Sequence, residues 1–507
     1  MSGARADLLN FSKTKYCGLW QCPKIAWLRK YKPEERVVDE ATLKRMRQGD
    51  EVGDLAMGLF GDYVEVSVRD GGRLDLDRMI EVTAEEMEKG SPAICEASFS
   101  YEGLYCAVDI LRREGCGWAI YEVKSSTHEE KPVYHADIAY QKHVLERCGV
   151  NVTGTYLVCL DREYMRDGEL DLSKLCKVAD VSAEVAAEQK AVEANLEIAA
   201  RILASPEEPA IDISESCNDP YTCAFWEYCS RNLPTPSVFD LYRLPFRKKI
   251  QYHRLGMDSF ESLIRNQGIM NEKRLRQIEY ALADLPDYVD IEHITEFLGQ
   301  LRYPLYFLDF ETMQPAVPRY DGTRPYDQVP FQYSLHFIEQ EDGELRHREF
   351  LGEPEVDPRR ALAEQLCKDI PLGACVTAYN KSFECSRLRE LSEAFPDLSG
   401  HLLDICENIV DLLVPFRNGW YYNRAVGGSF SIKSVLPALF PNDPELDYGN
   451  LEGVHNGSDA MIAFPSMAEM GREERQITRN SLLEYCKLDT YAMVKVWERL
   501  CEVSRRV

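Results

Sequence analysis

The chain has 507 residues, of which 45% are hydrophobic and 28% charged, and it carries a formal net charge of −26. This length predicts two or three domains, and the composition excludes a collagen, a long coiled coil and a wholly disordered chain. The negative charge excludes a protein that coats nucleic acid through bulk electrostatics. It does not exclude an enzyme that holds divalent cations with clustered carboxylates.

The compartment is predicted from apolar runs and cysteines. No apolar run approaches the roughly 20 residues of a membrane helix, and the first ten residues lack the pattern of a secretory signal. We therefore expect a cytoplasmic protein without a membrane partner. Seventeen cysteines, an odd number in a long chain, indicate metal binding or free thiols in a reduced compartment rather than a disulfide framework.

The first part of the chain predicts an α/β domain over residues 1–235. Helical spacing of apolar residues extends from residue 11 to about 60. Three strand-like runs separated by glycine-containing turns then predict an antiparallel meander. A helix, a strand and a long Ala/Glu-rich helix complete the unit. The predicted strands are 93–101, 104–111, 118–125 and 152–160, and the later helices are 133–147 and 183–204.

A proline-rich break at residues 233–236 separates this domain from a predicted helical bridge over 236–300. Nine basic residues between Arg243 and Arg276 form a stripe that would guide a phosphate backbone, or a solvated helix face. A second domain over 301–507 alternates strands with helices. The whole is predicted to be mixed α/β (α+β). The second set of predicted strands is 304–310, 331–338, 345–350 and 374–378, with helices 358–368, 383–394 and 479–505.

Two acids and a lysine fall on neighbouring strands of the meander. The period-2 rule puts Glu122 and Lys124 on one strand face, and a hairpin brings Asp109 beside Glu122. Two carboxylates hold a divalent cation and the water it activates, and a lysine stabilises phosphate charge. The alternative is a solvated face, because strand surfaces often alternate Glu and Lys.

These residues resemble the PD-(D/E)XK nuclease superfamily, and specifically its RecB-like branch. The resemblance implies a restriction-endonuclease-like fold and adds an early Cys-Pro, matched by Cys22-Pro23, and a later Gln, matched by Gln141. The metal-binding histidine of that branch is missing from residues 49–53. Glu51 or Glu96 is the expected substitute.

Cysteines form a second group. Cys217, Cys223 and Cys229 are evenly spaced, and Cys17 and Cys22 lie about two hundred residues earlier. Three late thiols and one early thiol make a four-thiolate site. Because thiolate sulfur is a soft ligand, such a site selects zinc or an iron–sulfur cluster. The alternative is buried free cysteines.

The resemblance favours the cluster. Nucleases of CRISPR adaptation and helicase-associated nucleases of the same branch carry a 4Fe-4S cluster held by one early and three late cysteines. Cys22, which precedes Pro23, matches the early one, so Cys22, Cys217, Cys223 and Cys229 are the expected ligands. The expected role is structural, with redox sensing as a further role.

A third group of polar residues begins where a buried strand ends. Asp309 and Glu311 share one face of that strand, and Tyr485 and Asp489 share one face of a late helix. Glu384 lies where another strand passes into a helix. Such acids hold two Mg²⁺ or Mn²⁺ ions that activate water and stabilise the leaving oxygen of a phosphodiester. Tyr485 is better suited to orienting that water than to deprotonating it, because an unperturbed tyrosine has a pKa near about 10.

This group resembles the DEDD exonucleases of the DnaQ-like, ribonuclease H-like fold, in the subgroup with tyrosine in the last motif. Asp309 and Glu311 match the first motif, and Tyr485 with Asp489 matches the third. Asn380 and Glu384 match the second motif, except that the acid is Glu rather than Asp. Asp411 is the alternative ligand.

Other polar residues of this half are candidate nucleotide contacts. Gln332, Ser334 and His336 share a strand face beside the first motif, and Lys433 lies near a helix start. For His336 a buried core histidine is the favoured interpretation. Lys433 is interpreted as a phosphate contact or a solvent-facing lysine.

With both domains in one chain, the sequence is similar to an uncharacterised bacterial family that has the same fusion. The two resemblances imply a metal-dependent nuclease with two sites, acting on single-stranded ends or branched DNA in repair or defence, and working 3′ to 5′ in the second half. RNA is an alternative substrate. Two rival hypotheses are a nucleic-acid-binding scaffold with degenerate sites, and an enzyme with one working half. Substrate is not inherited with a fold.

Overall fold

The computed structural model describes residue 8 and residues 10–128, 131–265, 270–283 and 285–505. The chain forms two compact units. The first contains Met1–Asn232 and Pro315–Tyr326, and the second contains Leu233–Gln314 and Asp327–Val507. The segment 236–300 therefore belongs to the second unit.

The first unit contains nine strands and eight helices within its described residues. The strands are β1 (Phe11–Ser12), β2 (Val64–Glu65), β3 (Arg69–Asp70), β4 (Arg73–Leu74), β5 (Ala93–Tyr101), β6 (Leu104–Glu114), β7 (Gly117–Lys124), β8 (Val152–Leu160) and β9 (Cys176–Asp180). The helices are α1 (Lys13–Gln21), α2 (Pro23–Tyr31), α3 (Glu40–Ala56), α4 (Leu76–Lys89), α5 (Pro132–Arg147), α6 (Leu172–Leu175), α7 (Ser182–Ala204) and α8 (Trp226–Ser230).

A seven-stranded mixed sheet organises the first unit. Its order is β2-β5-β6-β7-β8-β9, and β1 pairs with β6. β5, β6 and β7 form the expected antiparallel meander, whereas β7 and β8 run parallel because α5 connects them. The helix begins where Pro132 occupies its first turn, since proline needs no amide partner there. The sheet is buried under α5, so its polar side chains require partners.

A short segment from the second half of the sequence completes the first unit. Ala316 and Val317 are buried in the same hydrophobic cluster as Val52, Tyr121 and Val123. These residues cover the sheet beside the end of β7. The first unit is therefore discontinuous in sequence, a feature that no local pattern predicts.

The second unit contains seven strands and eleven helices within its described residues. The strands are β10 (Tyr288–Val289), β11 (Leu305–Met313), β12 (Val329–Ile338), β13 (Arg346–Leu351), β14 (Cys375–Ala378), β15 (Ile409–Asp411) and β16 (Tyr421–Tyr422). The helices are α9 (Phe246–Arg254), α10 (Phe260–Ile264), α11 (Glu272–Leu282), α12 (Ile291–Leu298), α13 (Arg359–Asp369), α14 (Ser382–Ala394), α15 (Ser399–Glu407), α16 (Val414–Arg417), α17 (Ile432–Leu439), α18 (Gly457–Ser466) and α19 (Arg472–Ser504).

The second unit is built around a five-stranded mixed sheet with the order β13-β12-β11-β14-β15. β11 is the central strand, antiparallel to β12 and parallel to β14. Alternate residues of β11 enter different hydrophobic clusters, for example Phe307 and Leu308. The pairing of β11 with β12 shifts register between Glu311 and Thr312, so the strand is irregular where its acids lie.

Both units confirm the prediction of a mixed α/β protein. In the first unit the strands and long helices agree closely with the predicted ranges, because alternating and helical apolar spacing is strong there. In the segment 236–300, helices predominate as predicted, and the two-residue strand β10 pairs with β16. Among the described residues, no helix is both long and apolar enough to cross a membrane.

Candidate functional site

The first unit brings together all four polar residues predicted from its strands and from α5. Asp109 lies on β6 and accepts a hydrogen bond from the amide of Val123 on β7, at 2.8 Å. Lys124 Nζ lies 2.5 Å from Glu122 Oε1. Gln141 of α5 donates to Glu122 Oε2 at 2.7 Å. The strand period and the hairpin therefore placed these side chains as the sequence predicted.

Two further charged residues belong to this group and were missed from the sequence. Lys13, at the start of α1, lies 2.7 Å from Asp109 Oδ1 and 3.2 Å from Glu122 Oε1. Asp137 accepts from Lys124 at 2.9 Å and from Gln141 at 3.1 Å. Asp137 is four residues before Gln141 on a helix, which is a usable signal. Lys13 carries no such signal, because only tertiary structure brings α1 to β6.

The charges of this group are mutually compensated. Burial opposes ionisation of Glu122, but Lys124 and Lys13 outweigh it and lower the pKa of Glu122 below its ordinary value. Burial and the neighbouring Glu122 raise the pKa of Asp109. The acids outweigh burial at Lys13 and raise the pKa of its ammonium. Two half-buried cations, Lys13 and Lys124, thus offset much of the charge of these acids in the protein alone.

Of the two candidates for the missing histidine, the structure brings Glu96 to the site. Glu96 lines the same cleft as Asp109, whereas Glu51 is exposed and does not line it. Glu96 has a φ of 58° and is skipped in the pairing of β5 with β6, so its side chain leaves the regular strand pattern. Burial, followed by Asp109, raises the pKa of Glu96 to about 7. This carboxyl is therefore only partly ionised at neutral pH.

The group lies in a cleft of about 1100 Å³ in the first unit. Its lining carries acidic side chains together with arginine and lysine. One wall is a stretch of the cysteine segment, residues 220–225. The basic residues of the walls are Arg29, Arg36, Arg45, Arg69 and Lys131.

The four predicted thiols line one small cavity of the first unit. Cys22 lies immediately before α2, and Cys217, Cys223 and Cys229 follow in the segment that ends in α8. Cys17 lines the cleft instead and is not part of the thiol cavity. Burial raises the pKa of Cys217, Cys223 and Cys229, and the neighbouring thiols of the set add to it. The donor set therefore matches the sequence prediction.

The second unit gathers its predicted acids around the end of β11. Asp309 and Glu311 point to the same side of the strand, and Asp489 comes from α19. Burial, then Asp489, Glu311 and Glu384, raise the pKa of Asp309 well above its ordinary value. Burial and Asp489 do the same for Glu311. Carboxyls that repel one another in this way bind a divalent cation favourably.

Cys486 is a member of this group that the sequence analysis missed. Its Sγ lies 3.8 Å from Asp309 Oδ2. Ligand atoms of Asp309, Glu311 and Cys486 all lie within 4.8 Å of one another, as in a metal site. Cys486 is three residues before Asp489, so helical spacing was an available signal.

Glu384 and Asp411 have different roles in the structure. Glu384 is 2% exposed, and its Oε2 has no hydrogen-bond partner in the part of the chain that the structure describes. Burial raises the pKa of Glu384 to about 8. Asp411, the alternative ligand, instead accepts from the amides of Asn380 and Leu413 at 2.9 and 3.1 Å. Asp411 therefore holds the turn after β14, while Glu384 presents an unsatisfied carboxyl oxygen.

Tyr485 and two neighbours complete the second group. Lys433 Nζ lies 3.1 Å from the Tyr485 hydroxyl, so Lys433 faces the group rather than solvent. Tyr448, which the sequence analysis missed, donates to Asp489 Oδ1 at 2.6 Å. Burial and Asp489 raise the pKa of Tyr485 far above its ordinary value. Tyr485 therefore remains a neutral phenol.

The polar residues of β12 form a buried network. His336 and Ser334 contact Thr490 Oγ1 at 2.8 and 2.7 Å. Burial lowers the pKa of His336 to about 3, so the ring is neutral. Gln332 donates to the carbonyl of Leu482. These contacts agree with the interpretation of His336 as a core histidine.

The basic stripe of residues 243–276 is engaged with its own unit at several positions. Lys273 donates to the carbonyl of Arg417, Arg274 to that of Tyr242, and Arg276 to that of Gly419. At these positions the cations cap backbone carbonyls, which favours a structural role over guidance of a phosphate backbone.

Comparisons with known proteins give little functional information. Residues 306–431 match a family model described as a domain of unknown function, DUF2779. The match includes Asp309, Glu311 and Glu384 and ends before Tyr485. An uncharacterized protein of Ureaplasma parvum serovar 3 is 24% identical over 267 residues, which are 48% of this chain and 36% of that protein. The chain thus spans about a third of this relative's length. No solved structure matches the chain.

Proposed function

We propose that the protein is a metal-dependent nuclease with a hydrolytic site in each unit, a restriction-endonuclease-like site in the first and a ribonuclease H-like exonuclease site in the second. The observation that carries this proposal is that, in each unit, buried carboxylates from separate elements lie close enough to raise one another's pKa. In the second unit Asp309, Glu311, Glu384 and Asp489 come from a strand and two helices. The cost of burying these acids together is explained if they hold cations.

The second unit is the better candidate for 3′ to 5′ removal of nucleotides. Asp309, Glu311, Glu384 and Asp489 are the residues that would hold Mg²⁺ or Mn²⁺, and the unpartnered Oε2 of Glu384 fits this role. When bound, such ions activate water and stabilise the leaving oxygen of a phosphodiester. Tyr485 keeps its proton and orients the attacking water, and Lys433 beside it offsets phosphate charge.

In the first unit, Asp109, Glu122 and Glu96 are the residues that would hold a cation. Lys124 lies beside Glu122, where its ammonium stabilises the charge that develops on phosphate. Gln141 donates to Glu122 and fixes that carboxylate. Gln141 Oε1 is buried and has no hydrogen-bond partner among the described residues.

For the four thiols we propose a 4Fe-4S cluster rather than zinc. Four sulfurs around one zinc ion lie roughly 3.8 Å apart, given zinc–sulfur bonds of about 2.3 Å in a tetrahedron. Within the described part of the chain, no three thiols lie within 4.8 Å of one another. The resemblance to nucleases whose cluster is held by one early and three late cysteines favours the cluster. A cluster there would join residue 22 to residues 217–229 and close the first unit.

Anaerobically purified protein is expected to be brown, with the broad visible absorption of an iron–sulfur protein. Cys223→Ser should remove the colour and the iron and lower the melting temperature, because it breaks the link between the ends of the first unit. Cys17→Ser is the matched control, since Cys17 lines the cleft and not the thiol cavity. A colourless protein with one zinc per chain would contradict the cluster.

One observation favours a narrower function. Lys13 already neutralises Asp109 and Glu122, and the usual histidine of such sites is missing. In this alternative the first unit binds nucleic acid as a platform and only the second unit hydrolyses it. The alternative keeps the nuclease assignment of the second unit.

The proposal is tested by degradation of end-labelled single-stranded DNA and a matched RNA in Mn²⁺ or Mg²⁺. Glu122→Gln should lower the nuclease activity of the first unit, and Asp309→Asn that of the second unit, by at least about a hundredfold. Each change deletes a cation ligand without changing side-chain size. The double variant should be inert. Glu473→Gln, at the exposed start of α19, is the control.

The label position reports the direction of degradation. If Asp309→Asn alone removes all activity, the first unit is a platform. If the wild-type protein leaves both nucleic acids intact with either metal, the nuclease proposal is wrong.

A further inference from the structure

A row of alternating cationic and aromatic side chains leads from the acid–lysine group of the first unit along the cleft. Lys124 Nζ lies 5.6 Å from the ring centroid of Tyr134. Lys131 Nζ lies 5.6 Å from the same centroid and 5.5 Å from that of Tyr221. All four residues line the cleft. The row therefore begins at a proposed catalytic residue and ends at Tyr221.

The two tyrosines differ in exposure. Tyr134 is 6% exposed and lies in the first turn of α5, whereas Tyr221 is 39% exposed. The outer ring thus offers an aromatic face to a molecule in the cleft.

The backbone that carries Tyr221 is held in place. The carbonyl of Tyr221 accepts from Gln21 Nε2 at 2.7 Å, and the same amide reaches the carbonyl of Ser216. Two residues later, the amide of Cys223 donates to the carbonyl of Cys217 at 2.9 Å. Tyr221 is therefore presented by a segment anchored at both sides.

Tyr221 does not serve as a cover for the thiols. The small cavity lined by Cys22, Cys217, Cys223 and Cys229 does not include Tyr221, whereas the cleft does. Of these four thiols, Cys223 alone also lines the cleft. The aromatic ring faces the space in which a substrate of the first unit would lie.

We propose that this row binds a single-stranded nucleic acid, with an unpaired base stacked on Tyr221 and the neighbouring phosphates on Lys131. This inference rests on the proposed function, whose first-unit site it supplies with a substrate class. Alternation of aromatic rings with cations suits a chain that alternates bases with phosphates. A base in a duplex keeps both faces stacked on its neighbours, so the row selects single strands.

The test is the affinity of fluorescently labelled strands, measured by anisotropy with full-length protein carrying Glu122→Gln and Asp309→Asn in Mg²⁺ buffer. These two changes prevent cleavage, so binding is measured whether or not the wild-type protein is a nuclease. Tyr221→Ala is expected to weaken single-strand binding about tenfold, the effect of losing one stacked base. Tyr221→Phe should bind within about twofold of the parent, since the ring is retained.

Further variants separate stacking from charge and from folding. Tyr221→Leu keeps apolar bulk without an aromatic face and should lose affinity as Tyr221→Ala does. Lys131→Ala should lower the slope of log affinity against log salt concentration by an amount equivalent to about one phosphate contact. Tyr221→Ala should leave this slope unchanged. Tyr63→Ala is the control, because Tyr63 is 42% exposed in the same unit but does not line the cleft.

The comparison with a blunt duplex of the same sequence decides the substrate class. Loss of single-strand affinity with unchanged duplex affinity supports the inference, whichever of the matched DNA and RNA strands is bound. Equal affinities of Tyr221→Ala, Tyr221→Leu and the parent for single strands would overturn it. The inference would also be overturned if the parent bound neither the DNA nor the RNA single strand. Equal losses of affinity for the duplex and for the single strand in Tyr221→Ala would overturn it as well.

Discussion

Asp309→Asn is expected to abolish the nucleotide removal proposed for the second unit and at the same time to stabilise the metal-free protein. Burial and the charges of Asp489, Glu311 and Glu384 raise the pKa of Asp309 well above its ordinary value. Asparagine has the same shape without the charge, so the repulsion is relieved. We expect a gain of roughly 1–3 kcal/mol near pH 8, seen as a melting temperature higher by about 5 °C.

The gain should depend on pH with a definite sign. Because the folded pKa of Asp309 lies above its unfolded value near 3.8, the folded wild-type protein binds more protons than the unfolded chain. Wild-type stability is therefore expected to fall as pH rises above about 4 and through the raised pKa values, that of Glu384 being about 8. Asp309→Asn should flatten this fall, so its advantage is larger at pH 8 than at pH 5.

Differential scanning calorimetry in a metal chelator, at pH 5 and pH 8, measures both effects. Asp342→Asn is the control, since Asp342 lies in an exposed turn of the same unit. Added Mn²⁺ should stabilise the wild-type protein more than Asp309→Asn, because the lost carboxylate is a ligand. A variant that is less stable than wild type at pH 8 would show that Asp309 has a structural role instead.

Local patterns sufficed for residues whose partners are set by one hairpin or one helix. Asp109, Glu122 and Lys124 share a strand face or a hairpin, and the structure brings them together. Tyr485 and Asp489 are one helical turn apart. In these cases the period of the strand or helix fixes the direction of each side chain, so residues with the right spacing in the sequence also lie close together in the structure.

Tertiary contacts decided the residues that the sequence could not reveal. Lys13 reaches Asp109 only because β1 pairs with β6 and directs α1 across the sheet. Tyr448 meets Asp489 from an irregular segment that has no periodicity. The segment Pro315–Tyr326 lies between two strands of the second unit in the sequence, yet Ala316 and Val317 belong to the core of the first unit. Such contacts join residues far apart in sequence and leave no local pattern.

The two groups of acids differ in how their charge is balanced. In the first unit two lysines contact the carboxylates directly. In the second unit Lys433 contacts the hydroxyl of Tyr485, and Asp309 and Glu311 are left to repel one another. Removing the charge of Asp309 should therefore stabilise the metal-free second unit. Removing the charge of Lys13 should destabilise the metal-free first unit. The first unit provides the second large prediction.

Lys13→Met is expected to destabilise the metal-free first unit by roughly 3–5 kcal/mol, the usual cost of removing one partner of a buried ion pair. Lys13 contacts Asp109 and Glu122, and its side chain is 23% exposed. Without its ammonium, these acids have Lys124 as their remaining close cation. Mn²⁺ should restore the lost stability, because a divalent cation takes over the neutralisation.

The same change should tighten Mn²⁺ binding at least about tenfold, since the ion no longer competes with a bound ammonium. Isothermal titration in an Asp309→Asn and Glu384→Gln background reports the first unit alone. Lys15→Met, on the same helix, is the matched control, because Lys15 donates to the carbonyl of Asn10 instead. Lys13→Arg retains the charge and should keep wild-type stability. Unchanged Mn²⁺ affinity in Lys13→Met would show that the ion does not bind between Asp109 and Glu122.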